Sequence, residues 1–184
     1  MDLAAELFSH LCGQQQCFAI DGTALPLCPR CLGLYLGAAA TAVWIVAGRL
    51  WRRGLPPVGV LVADGAALAA AMLGGLHWIA GGPAWRMICG LLSGHVFLLW
   101  LVSGAAHLWR AGRSSTPPVP WRRGPTIGAL AMIPLLVAAG WAFAAFLPSP
   151  RRVWVWASIF GLVALAGAAA WAVTATVRWA FMRR

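Results

Sequence analysis

The sequence predicts an all-α fold, a polytopic membrane helix bundle of about five transmembrane helices with a short Cys-rich external N-terminal head. Hydrophobic residues make up 61% of the chain against 10% charged, and the mean hydropathy is +0.79, which excludes an ordinary soluble domain. Long apolar stretches recur between boundaries of Arg, Pro and Trp. A hydrocarbon core of roughly 30 Å takes about 20 apolar residues per helix. The 184 residues therefore supply one bundle, residues 32–184, behind a head of residues 1–31, and leave no room for a second domain.

The head comes first. Asp2 and Glu6 stand where a signal peptide would carry basic residues, and no long apolar core precedes Cys12, so this segment reads as retained. Leu3, Leu7 and Leu11 recur every fourth residue, which predicts a short amphipathic helix over residues 2–12 lying on the bundle surface. The first span covers about residues 32–50 and the second about 57–79, where the Gly81-Gly82-Pro83 turn separates it from the third at about 86–109. The tract Arg113-Ser114-Ser115-Thr116-Pro117-Pro118-Val119-Pro120 reads as a linker, because its prolines cannot all be helical. Two Ala-rich spans follow, at about 125–147 and 152–178.

Cationic residues near helix ends are retained on the cytoplasmic side. With five spans and an external N-terminus, Arg49, Arg52, Arg53, Arg110, Arg113, Arg122, Arg123, Arg178, Arg183 and Arg184 fall inside, and Arg30, Arg86, Arg151 and Arg152 outside. This asymmetry predicts a multi-pass protein of the prokaryotic cytoplasmic (inner) membrane with its C-terminus in the cytoplasm. It also accounts for the net charge of +10 without nucleic acid.

The head holds the densest set of chemically active side chains. Tetrahedral zinc is commonly held by three Cys and one His, with one pair spaced Cys-x-x-Cys, and His10, Cys12, Cys28 and Cys31 supply that set for zinc or another transition metal. Cys17 and His77 are substitute ligands. The competing reading is redox. A Cys-x-x-Cys at a helix start has a depressed thiol pKa, so Cys28 and Cys31 would be the active pair of a quinone-linked thiol-disulfide oxidoreductase, with Arg86 as a quinone anchor. A third reading makes the cysteines purely structural disulfides.

The segments Cys12-Gly13-Gln14 and Leu27-Cys28-Pro29-Arg30-Cys31-Leu32-Gly33-Leu34-Tyr35-Leu36-Gly37 resemble a family of small prokaryotic predicted membrane proteins of unknown function, the DUF2085 type. The resemblance extends through Asp64-Gly65 and Arg86 to Gly90 and Gly94. Such proteins typically carry a His directly after the first Cys, where this chain has Gly13, and an Arg-Ser pair where it has Gln16-Cys17; His10 then stands in for the displaced ligand. The resemblance implies a site and no reaction.

Inside the membrane, Asp64 requires a reason, because a carboxylate in a span costs at least ~2.5 kcal/mol. Ser103 is expected at similar depth on the third span and His95 within another turn, which predicts a polar pocket between spans two and three. That pocket reads as a proton or ion relay or a substrate contact, or as a carboxylate that only packs helices. With Arg86, Asp64 would line the approach to a metal site catalytic on an envelope or lipid substrate. Gly33-x-x-x-Gly37 and Gly90-x-x-x-Gly94 predict that spans one and three touch, which brings Cys31 near Arg86 and Cys89. Gly- and Ala-rich faces on spans four and five fit a membrane-protein partner or a homo-oligomer, the reading in which the chain is a non-enzymatic subunit.

Overall fold

A computed structural model describes residues 19–20, 23–24, 27–75, 82–111, 119–145 and 151–182. Two short strands, β1 (Ala19–Ile20) and β2 (Thr23–Ala24), pair antiparallel, with Ala19 opposite Ala24 and Ile20 opposite Thr23. Five helices follow: α1 (Pro29–Gly48), α2 (Val58–Gly75), α3 (Pro83–Ala111), α4 (Arg123–Ala145) and α5 (Arg151–Met182). Four of them are long and apolar enough to cross a membrane, and α2 is an apolar helix of shorter described length. The expected helix over residues 2–12 lies outside the described residues.

Local chemistry sets the helix ends. Pro29 occupies the first turn of α1, where its missing N–H costs nothing, and Cys28 caps the helix. At the other end Arg49 adopts the left-handed conformation (φ 49°, ψ 41°), and its N–H reaches the Ile45 and Val46 carbonyls. A short 3-10 turn, Leu50–Arg52, then reverses the chain toward α2.

The packing core is the parallel pair α1 and α3, and its glycines interlock. A Cβ on Gly33 would strike the Met87 carbonyl, and one on Gly37 the Leu91 carbonyl; on α3, Gly90 faces the Arg30 carbonyl and Gly94 the Leu34 carbonyl. The backbones approach this closely because both helices carry glycine at these positions. Gly161 of α5 lies against the Tyr35 carbonyl in the same way. The expectation that spans one and three touch therefore holds.

Two apolar clusters fill the bundle. One, at the Cys28 end, joins Leu27, Leu32, Tyr35, Met87, Ile88, Cys89 and Leu91, with Cys31, Trp85 and Trp154 against it. The other, at the opposite end where the arginines gather, joins Ala38, Ile45, Leu50, Val60, Leu98 and Leu99, with Trp44, Trp51 and Trp121 alongside. Val43, Val46, Leu135, Trp141, Trp156 and Val163 project outward, which suits contact with lipid tails rather than water.

Candidate functional site

Three polar side chains from three different helices meet in the bundle interior. Asp64 on α2, His95 on α3 and Thr41 on α1 are all completely buried. His95 Nε2 lies 3.8 Å from Asp64 Oδ1, and His95 Nδ1 lies 2.9 Å from Thr41 Oγ1. Thr41 Oγ1 in turn donates to the Gly37 carbonyl at 2.7 Å, a bond within its own helix. The Trp44 ring flanks the imidazole, with centroids 6.3 Å apart.

The α1–α3 seam positions this group. Residues 33, 37 and 41 recur every fourth position, so Thr41 extends the face that carries Gly33 and Gly37. His95 directly follows Gly94. Close approach at the glycines thus sets the separation of hydroxyl and imidazole one turn further on. Ala38 and Ile45 enclose the group from α1, Val60 from α2, and Leu98 and Leu99 from α3.

Hydrogen counting shows what the arrangement does chemically. A hydroxyl has one hydrogen. When Thr41 gives it to the Gly37 carbonyl, the bond to His95 forms only if Nδ1–H donates to Thr41 Oγ1. Nε2 then faces the carboxylate either as a bare lone pair, which requires a proton on Asp64, or as N–H of an imidazolium. Both cases place one more hydrogen in the group than the alternative, in which Thr41 donates to Nδ1 and Nε2–H points at an ionised Asp64. Neither Asp64 oxygen, nor His95 Nε2, has a hydrogen-bond partner among the described residues, so none of those competes for this proton. The Trp100 indole approaches the carboxyl but falls short of hydrogen-bond geometry. From residue 124 to residue 177 the only ionisable side chains are Arg151 and Arg152 at the start of α5, so α4 and α5 bring no charge to the middle of the bundle.

The Cys-rich end is separate. Cys28 is buried, and its Sγ accepts from the Cys31 N–H at 3.4 Å, which puts both cysteines in the first turn of α1. Thr41 follows Cys28 by thirteen residues, about 20 Å along the helix. Arg86, half-buried, sits one turn into α3 at this same end, so the structure does not bring Asp64 and Arg86 into one site. Cys31 and Cys89 do share one apolar cluster, as the glycine spacing predicts. Among the described residues, no group of three or more His, Cys, Asp or Glu converges as a metal site. His10, Cys12, Cys17 and His77 lie outside those residues.

Residues 12–100 match the family described as predicted membrane proteins, DUF2085. Over that stretch, just under half of its length, the chain is similar to the DUF2085 family. The matched stretch takes in the cysteines at positions 12, 28 and 31, and also Thr41, Asp64 and His95. It ends within α3, so α4 and α5 follow the DUF2085 region. No curated protein and no solved structure matches the chain.

Of the sequence-predicted residues, His95 meets Asp64 as expected between spans two and three. Ser103, expected nearby, is buried, but no bond joins it to Asp64. Thr41 is the member that sequence reasoning missed. Its position on the Gly33-Gly37 face was the available signal.

Proposed function

We propose that this protein handles protons within the membrane, with Asp64 and His95 holding one exchangeable proton and Thr41 adjusting to its presence. The observation that carries this reading is the buried chain Asp64, His95, Thr41, Gly37 carbonyl, in which one hydroxyl hydrogen faces two acceptors. The loaded form carries no net charge. Losing the proton leaves a carboxylate in an apolar interior, at a cost of at least ~2.5 kcal/mol, so release requires a path to water or a coupled movement of the helices. On loss, the remaining ring hydrogen sits on Nε2 and the Thr41 hydroxyl turns from the Gly37 carbonyl to Nδ1. The protein belongs, on this reading, in the prokaryotic cytoplasmic membrane with its N-terminus outside, as the arginine distribution favours.

The test is proton uptake by proteoliposomes holding a pH-sensitive dye, driven by a potassium diffusion potential. Wild type should acidify the lumen faster than empty vesicles, and Asp64→Asn and His95→Gln should each abolish the difference. Uptake by both variants at the wild-type rate would remove the dyad from the function.

A second reading is favoured by the Cys28 Sγ bond to the Cys31 N–H, which sets both sulfurs in one helical turn at the bundle end. There His10, Cys12, Cys28 and Cys31 would hold zinc or another transition metal, with Arg86 at the same end. Metal analysis of detergent-purified protein should return about one equivalent, lost in Cys28→Ser/Cys31→Ser. A Cys28–Cys31 disulfide without metal would favour quinone-linked thiol exchange instead.

A further inference from the structure

Tryptophans in membrane helices gather at the level of the headgroups, where Trp109 lies on α3 and Trp121 just before α4. Trp100 does not. It precedes Trp109 by nine residues, about 14 Å along the helix, and so lies within the hydrocarbon layer. It is also on the outer side of α3: Phe97 and Trp100 are exposed, whereas Val96, Leu98 and Leu99 are buried. An indole N–H only donates, and hydrocarbon offers it neither water nor an acceptor, so its partner has to come from the protein.

The acceptor beside it is Asp64. Both carboxyl oxygens are buried without a hydrogen-bond partner among the described residues, and the Trp100 indole approaches them without closing to a bond. His95 faces Oδ1 at 3.8 Å. An ionised carboxylate accepts at several positions, so a single imidazole N–H leaves it short of donors. Asp64 thus has two α3 side chains to draw on, the imidazole of His95 and an indole five residues further along.

We propose that Trp100 is the second donor to the Asp64 carboxylate: once the Asp64–His95 pair gives up its proton, the indole N–H closes on the carboxylate from the lipid-facing side while His95 Nε2–H holds it from the interior. This rests on the proton-handling reading and adds the group that lets the released state persist in hydrocarbon. Trp100 keeps its own hydrogen throughout and relays none. A hydrogen bond to a charged acceptor is roughly twice as strong as one to a neutral acceptor, so the indole favours the released state over the loaded one.

Few other groups titrate near this point. On α3, Arg86 and Cys89 lie toward the Cys28 end and His107 and Arg110 toward the other; α2 has no titratable side chain besides Asp64; α4 has Arg123 at its start and none beyond; α1 has none between Tyr35 and Arg49; and α5 has Arg151, Arg152 and Arg178 toward its ends. His107 follows Trp100 by seven residues, two turns along the same side of α3, and is the one group whose titration could imitate that of Asp64.

The test is the indole N–H resonance of Trp100 in the bilayer-reconstituted, nitrogen-15-labelled full chain, assigned by its loss in Trp100→Phe or, where that variant does not fold, in Trp100→Tyr. The indole proton should move downfield as the pair releases its proton, and in Asp64→Asn it should stay in place. A resonance that does not move, or that moves alike in Asp64→Asn, where His107 remains, overturns the assignment. In the proteoliposome assay Trp100→Phe should slow proton uptake by about tenfold or more, the worth of a hydrogen bond to a charged group, and uptake at the wild-type rate would also overturn it. Failure of the proton-handling reading shows separately, as wild-type uptake no faster than that of empty vesicles, and leaves the resonance to decide whether Trp100 meets Asp64.

Discussion

Replacing Gly94 by Ala adds one methyl group at the tightest point of the α1–α3 seam. The new Cβ would fall on the Leu34 carbonyl, with the Ala38 nitrogen at 2.8 Å and the Leu34 carbonyl carbon at 2.9 Å. All three are backbone atoms of a continuous helix, so no side-chain rotation relieves the contact. Restoring ordinary contact with the Ala38 nitrogen alone requires the helices to part by about 0.6 Å, and the carbonyl oxygen requires more. A parting of that size carries the Thr41–His95 bond from 2.9 Å to about 3.5 Å, the limit of a hydrogen bond. Overpacking costs about 1–3 kcal/mol and the lost bond about 1 kcal/mol, against a gain of at most about 1 kcal/mol from replacing a helical Gly. A net loss near 2 kcal/mol lowers the thermal midpoint by about 4–8 °C in a chain of this size. The assay is thermal unfolding in mild detergent with Gly104→Ala as control, since a Cβ there meets nothing within 4 Å. The control should hold or gain stability. A Gly94→Ala protein as stable as Gly104→Ala would refute the close seam and, with it, the way the bundle sets the site.

Further outcomes follow from the same structure. Thr41→Val keeps the shape but removes the one partner that His95 Nδ1 has among the described residues, so equilibrium unfolding should show a loss of about 1–2 kcal/mol; no loss would mean that the hydroxyl and imidazole do not bond. Arg49→Gly should stabilise the protein by about 0.5–1 kcal/mol, because Arg49 holds a left-handed backbone that glycine adopts freely, and a destabilised variant would contradict that conformation. Cys28→Ala should cost about 1 kcal/mol by removing the side-chain acceptor at the start of α1, whereas Cys28→Ser retains one; equal losses would show that capping is not the role of Cys28 in stability.

Much of the bundle was legible because membrane physics leaves strong marks. Runs of apolar residues, arginines at their ends and tryptophans at their boundaries placed five helices within a few residues of where they lie. The third helix starts at Pro83 rather than about residue 86, since a proline is tolerated in a first turn, and the fifth runs to Met182 rather than about residue 178. The Gly33/Gly37 and Gly90/Gly94 pairs read correctly as a contact because small residues four apart have few other uses in lipid.

The site was legible in part. Asp64 stood out because a carboxylate in a span is costly, and His95 followed from helix depth. Ser103 and Thr41 look alike in composition, and only rotation about the helix axis separates them. Thr41 falls on the glycine face of α1, while the depth argument that pointed to Ser103 ignored the azimuth. The Cys head drew more weight from spacing than the described residues return, since His10 and Cys12 lie beyond them.

The most direct measurement is the nitrogen-15 resonance of His95 Nδ1 in the bilayer-reconstituted protein, assigned by comparison with His95→Gln and followed from acid to alkaline pH. Nδ1 should carry hydrogen while the Asp64–His95 pair is loaded and lose it when the pair releases its proton, as the Thr41 hydroxyl turns toward the ring. In Asp64→Asn that linked change should vanish. An Nδ1 signal that stays the same across the range, or that changes identically without the Asp64 carboxyl, would contradict a proton shared between the two side chains.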